Sequence, residues 1–155
     1  MSEHFASVQW QRQADGFIDR HYSREHIWKF DGGIEILASA SPHIVPEPDA
    51  NAACVDPEEA FVAAISSCHM LWFLAIAAKH QFIVDRYTDQ AVGILEKNDE
   101  GKLAITKIYL NPQVIFSGDR LPSEQQIEDM HEAAHHRCFL ANSVKSEIIV
   151  AAIGV

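Results

Sequence analysis

Asp56-Pro57-Glu58-Glu59-Ala60-Phe61-Val62-Ala63-Ala64-Ile65-Ser66-Ser67-Cys68-His69 is the stretch from which the rest of the chain can be ordered. Its first four residues form a helix start. An aspartate can accept from the free N–H groups of the first turn, proline suits the first helical position, and Glu59 can reach back to close a capping box. The helix then runs without a charged side chain from Ala60 to Ala78 and finds cationic ends at Lys79 and His80. Within it, Ser66, Ser67, Cys68 and His69 interrupt an apolar surface. Four such residues in a row cover every side of a helix, so some must point inward and find partners.

A helix that is apolar all round belongs in an interior, a subunit interface or a membrane. The length is just enough for a span, but His69 falls mid-run and acidic residues lead in, so an interior or interface is expected. The chain has 155 residues, 48% of them hydrophobic, which suits a single domain over residues 1–155. A net charge of −10 and the absence of any Lys/Arg-rich run argue against nucleic-acid binding. Residues 1–10 lack the basic and apolar regions of a signal peptide, and three cysteines form no disulfide framework. Both point to a reducing, cytoplasmic setting.

Before the helix the pattern is β. Phe5, Val8 and Trp10 begin a strand, Ala14-Asp15-Gly16 is a turn, and a second run extends from Phe17 to Phe30. Asp31-Gly32-Gly33 signals a hairpin into Ile34-x-Ile36-x-Ala38, and the proline-rich stretch from Pro42 to Asn51 is a loop. After the helix, runs over Tyr87–Glu96 and Leu103–Phe116 flank the turn at Asn98–Gly101. Ser123-x-x-Gln126 opens a second helix with Ile127, Met130, Ala134 and Cys138 on its apolar face, and a strand over Glu147–Ile153 closes the chain. The predicted order is β-β-β-α-β-β-α-β, an α+β domain.

Cys68 and Cys138 are the candidate reactive groups. Each fits a buried core thiol as well, because free cysteine is among the most buried residue types. Cys138 ends the second helix, where a thiol is placed to move toward a partner, whereas Cys54 lies in a loop and reads as incidental. His131 and His135, with Cys138 one turn on, have a metal-binding spacing but lack a clear fourth ligand. The expectation is that His131, His135 and His136 face solvent and that no metal or organic cofactor is needed. A buried thiolate wants a permanent cation beside it, and Arg20 and Arg24 are the nearest candidates, with Arg12 and Arg137 behind them.

The helix start and Ser66-Ser67-Cys68 together resemble the first-cysteine motif of the OsmC/Ohr family, and the second cysteine near the end of the second helix is similar as well. The resemblance implies an intertwined α+β homodimer with buried central helices. It implies a thiol-dependent peroxidase acting on organic hydroperoxides and recycled by a dithiol reductant. Carried over, Cys68 matches the peroxidatic cysteine, Cys138 the resolving one, Glu58 the glutamate of the Pro-Glu motif and Arg24 the activating arginine, with Arg20 as the fallback. Ten residues of helix separate Glu58 from Cys68 by ~15 Å, so Glu58 is expected to act through Arg24, with part of the site drawn from the partner subunit. The chain departs from the best-known branches in Phe139 after Cys138, where they have proline, and in His69 after Cys68. A metal- or ligand-binding module using Cys138 and the nearby histidines is the alternative.

Overall fold

A computed structural model describes residues 1–151, which fall into two compact units, Met1–Ala60 and the chain from Phe61 onward. The first is a three-stranded antiparallel sheet of β1 (Ala6–Gln9), β2 (His26–Phe30) and β3 (Glu35–Ala38), in that order. Gly33 takes a positive φ of 83° in the β2–β3 turn, a conformation that glycine adopts without steric cost. Residues 17–25, expected to be strand, are not. Gly16 at φ 99° and Arg20 at φ 67° turn the chain back, with bonds from Arg20 N to Phe17 O and from His21 N to Gly16 O. Trp10 holds this strap, donating to Ser23 O at 2.8 Å and packing against Phe17 and Tyr22.

Helix α1 (Pro57–Lys79) begins as its sequence dictates: Glu59 N donates to Asp56 Oδ1 at 2.7 Å and Asp56 N to Glu59 Oε2 at 3.3 Å. From Phe61 on, the second unit holds β4 (Ile83–Asp89), β5 (Val92–Lys97), β6 (Leu103–Leu110), β7 (Pro112–Ser117), helix α2 (Glu124–Arg137), a 3-10 turn at Ala141–Ser143, and β8 (Glu147–Val150). The order is therefore β-β-β-α-β-β-β-β-α-β, two strands more than predicted. Each of the two long runs breaks in the middle, and the breaks are tied together. Asn111 N donates to Asp89 Oδ1 at 2.7 Å and Asn111 Nδ2 to Gln90 O at 2.8 Å. The pair is one long hairpin bent at a shared corner, giving a β4–β7 ribbon and a β5-β6-β8 sheet in which β8 runs parallel to β6. Of the predicted closing strand, residues 152 and 153 lie outside the described residues.

The core of this unit forms along α1. Toward its start, Ile65 packs with Ile108 and Leu110 of β6, with Phe61, Val62 and Ile148 alongside. Toward its end, Phe73, Ile76 and Ala77 meet Phe82 and the α2 residues Ile127, Met130 and Ala134, with Val84, Val114 and Phe116 of the ribbon around them. Gly93 permits the first contact, since a Cβ there would come within 2.6 Å of Val62 Cγ2. The apolar face predicted for α2 is the one that is buried, Cys138 included.

Candidate active site

Cys68 lies midway along α1 and is half-buried. Cys138 is the C-cap of α2 and is fully buried. The fold sets the two thiols close enough for Cys68 to influence Cys138, and both are free. Cys138 N–H closes the helix by donating to Ala134 O at 2.9 Å and His135 O at 3.2 Å. Burial pushes the Cys138 thiol up to about 11, the adjacent Cys68 thiol adds to the rise, and the Ala141 N–H at 3.4 Å from Sγ opposes it. Cys138 is thus held as a thiol. An aromatic lip borders the pair: Trp72, one turn after Cys68, meets Phe139 edge-on at 5.5 Å, with the Arg137 guanidinium 5.7 Å from its ring.

The polar residues around Cys68 divide as helix geometry requires. Ser67 is exposed, whereas Ser66 Oγ donates to Asp89 Oδ2 at 2.5 Å. His69 is 1% exposed and its Nε2 lies 2.9 Å from His131 Nδ1. With planes 5° apart and centroids at 5.3 Å, the rings meet end to end, so one N–H points straight at the other ring's lone pair. His131 is itself 3% exposed and stacks on Phe73 at 4.2 Å. This corrects the expectation that His131 faces solvent: it occupies the stripe of Ile127, Ala134 and Cys138, and pairing with His69 makes its burial tolerable. His135 is half-buried with Nδ1 inside, while His136 is exposed as expected.

Burial lowers His69 to about 4, with His135 adding to the effect and Asp89 opposing it; burial and His69 lower His131 to about 3. Tyr87, on β4 against this pair, is raised by burial and then by Asp89. Four buried polar atoms here have no hydrogen-bond partner among the described residues: His69 Nδ1, His131 Nε2, His135 Nδ1 and Tyr87 OH. No group of three or more His, Cys, Asp or Glu among the described residues is arranged to hold a metal. Cys138 turns to Cys68 and His131 to His69, so the ligands of the alternative reading do not converge.

In the first unit, Arg24 is built into a cradle. Its Nη1 donates to Tyr22 O at 2.5 Å and Arg20 O at 3.1 Å, lies 3.5 Å from Asp49 Oδ2, and its guanidinium covers the Tyr22 ring at 3.7 Å. Arg20 is exposed and contributes its carbonyl to that cradle. Glu58 is half-buried in the first turn of α1, and no ion pair joins it to Arg24 among the described residues. Asp49 is the carboxylate that Arg24 meets, and its place inside the proline-rich loop gave no signal in the sequence. Cys54 borders a cleft with Glu25, His26 and Trp10, and burial, then Glu25, raises its thiol.

A family model described as OsmC-like protein matches residues 50–152. The solved structure of an OsmC-like protein of unknown function from Vibrio cholerae is 59% identical, with a TM-score of 0.97, covering 99% of this chain and 100% of that one. An organic hydroperoxide resistance protein from Elizabethkingia anophelis matches at 17% identity and a TM-score of 0.69, covering 97% and 93% of the two chains. The organic hydroperoxide resistance protein OhrB of Bacillus subtilis matches at 18% identity and a TM-score of 0.59, with 94% of each chain covered. No curated protein matches the chain.

Proposed function

The chain belongs to the OsmC-like family, and on that premise we propose that it is a thiol-dependent peroxidase that reduces organic hydroperoxides. The observation that carries the reading is a half-buried Cys68 set close enough to a fully buried Cys138 to influence its thiol. A peroxidatic sulfur has to be reached by substrate, and a resolving sulfur has to be close and shielded from the oxidant. The two thiols divide in that way. The apolar lip of Trp72 and Phe139 suits the organic group of a hydroperoxide better than hydrogen peroxide.

In the proposed cycle the Cys68 thiolate attacks the distal oxygen of ROOH. The O–O bond breaks, the alcohol ROH leaves after gaining a proton, and Cys68 becomes a sulfenic acid. Cys138 condenses with it, forming the disulfide and releasing water. A dithiol reductant then opens the disulfide by exchange and leaves as its own cyclic disulfide. We assign Arg24 the task of stabilising the thiolate and polarising the peroxide. Its half-buried guanidinium, held through Nη1, fits a fixed charge better than the exposed Arg20 does. Glu58 is assigned a positioning role, for which the resemblance is the ground. No cofactor enters this chemistry.

The two units are proposed to act as one domain, since the family match spans their boundary. We further propose a homodimer. Only 28% of the apolar window of α1 is buried, and Ala64, Leu71, Ala75 and Ala78 form an exposed apolar stripe that a second copy would cover. A cytoplasmic location follows from the need for a dithiol reductant. The test is turnover of cumene hydroperoxide with dithiothreitol. Cys68→Ser should abolish it. Cys138→Ser should permit one oxidation and then leave Cys68 open to overoxidation. Wild-type turnover by the Cys68→Ser protein would refute the reading.

A further inference from the structure

Arg137 is a cation in a part of the molecule that offers no acid to pair with it. The chain carries a net charge of −10, yet among the described residues no ion pair engages this guanidinium. On its own helix the residues three and four before it, where a carboxylate could reach it, are Ala134 and Ala133. Helix α1, packed against α2, carries no charged side chain from Ala60 to Ala78. Glu132, the nearest acid in sequence, lies beside His136 instead. The guanidinium leans over the Trp72 ring, 5.7 Å from its centre. The last turn of a helix favours a cation wherever its side chain points. The macrodipole therefore accounts for the charge and leaves its direction unexplained.

That direction is toward the thiol pair. Arg137 immediately precedes Cys138, Phe139 follows it, and Trp72 stands one turn beyond Cys68, ~6 Å along the helix axis. Phe139 meets Trp72 edge-on at 5.5 Å and is 68% exposed. An apolar surface is thus open to solvent beside the half-buried Cys68, with the guanidinium at its margin. A hydroperoxide that reaches Cys68 can lay an apolar body on Trp72 and Phe139. A carboxylate about one aromatic ring away from its peroxide then comes within reach of the guanidinium, whose fork of N–H donors matches two carboxylate oxygens. A neutral hydroperoxide makes the apolar contact and leaves the guanidinium to water.

We propose that Arg137 sets the substrate class of the site by selecting organic hydroperoxides that carry a carboxylate over neutral ones. The role rests on the peroxidase reading above and adds no step to the cycle. Cys68 attacks the distal oxygen as before, and the guanidinium holds the far end of the substrate without exchanging a proton with it.

The experiment compares cumene hydroperoxide bearing a para carboxylate with the methyl ester of the same compound, which keeps the peroxide and the ring but has no charge. Wild-type, Arg137→Gln and Arg137→Glu proteins are assayed near neutral pH with dithiothreitol fixed at saturation. The reductant enters in a separate half of a ping-pong cycle, so kcat/KM for the hydroperoxide reports its reaction with Cys68 alone. Wild type should prefer the acid, and Arg137→Gln should lower the acid-to-ester ratio roughly three- to tenfold, the scale of one partly exposed charge-assisted contact. Arg137→Glu should turn the preference toward the ester, and added salt should carry the wild-type ratio toward that of Arg137→Gln. A purely structural role would change both substrates alike and leave the ratio where it was. The same ratio in wild type and Arg137→Gln overturns this proposal and leaves the peroxidase reading standing. So does a wild-type ratio that salt does not move. If the wild-type protein reduces neither compound, the peroxidase reading falls and this role with it.

Discussion

Lowering the pH should unlock the helix pair that carries the two thiols, because His69 and His131 are buried as neutral rings. Their protonation midpoints, about 4 and about 3 in the folded protein, lie below the ~6.5 of an unfolded chain. The unfolded state therefore binds more protons below pH 6.5, so stability is complete above that value and falls as pH drops toward 4. Between pH 7.5 and pH 5 each ring remains neutral in the folded state while it charges in the unfolded one. The loss is about 2 kcal/mol per ring and about 4 kcal/mol for the pair, working at ~1.4 kcal/mol per pH unit past 6.5. That is a large share of the roughly 5–15 kcal/mol typical of a folded domain. Urea unfolding followed by tryptophan fluorescence, at fixed protein concentration, is the assay. The wild-type midpoint should drop by about 2 M over this interval for a slope of about 2 kcal/mol/M. A His69→Leu/His131→Leu protein, in which both ends of the hydrogen bond become apolar, should lack this component. Parallel pH dependences for the two proteins would refute the reasoning, since carboxylates and exposed histidines are common to both.

Gly93→Ala should cost about 1–3 kcal/mol in a denaturant melt, because the new methyl meets Val62 at 2.6 Å and α1 must lift from its sheet. Asp56→Ala removes an acceptor for Glu59 N and should lower stability by about 0.5–2 kcal/mol, read the same way, with Asp56→Asn recovering much of it. With Cys138 at about 11, roughly one thiol in ten thousand is ionised at pH 7. Native-state iodoacetamide should therefore label Cys138 far more slowly than the denatured protein's thiols, as peptide mapping will report, and equal rates would contradict its burial.

The local signals read correctly from the chain were those that work over one helical turn or one hairpin. Asp56 and Ser123 open their helices through side chains three residues away, and Gly33 turns a hairpin within its own few residues. The strand breaks at Gln90 and Asn111 were not legible. They depend on Asp89 and Asn111 meeting across a fold 22 residues apart, and nothing local marks either run as interrupted. The strap over residues 17–25 misled for a similar reason. Its aromatic residues suggested a strand, but they serve to pack Phe17 and Tyr22 on Trp10.

His131 is the most instructive case. The spacing of Ile127, His131, Ala134 and Cys138 by four, three and four places it on the buried stripe, and that clue was available in the sequence. A lone imidazole there would be too costly to bury, so polarity argued for solvent. The partner that offsets this cost, His69, is 62 residues away.

By itself the sequence determined two capped helices, the α+β class and the two thiols around which a function can be built. Capping, turn formation and apolar periodicity are local free energies written into neighbouring residues. Only the tertiary structure decided that Cys68 faces Cys138, that His69 meets His131 end to end, and that His135 Nδ1 is enclosed beside them. Those facts depend on how α1 and α2 pack. Burial and partner choice, the quantities that set which group holds a proton, exist only once that packing has formed.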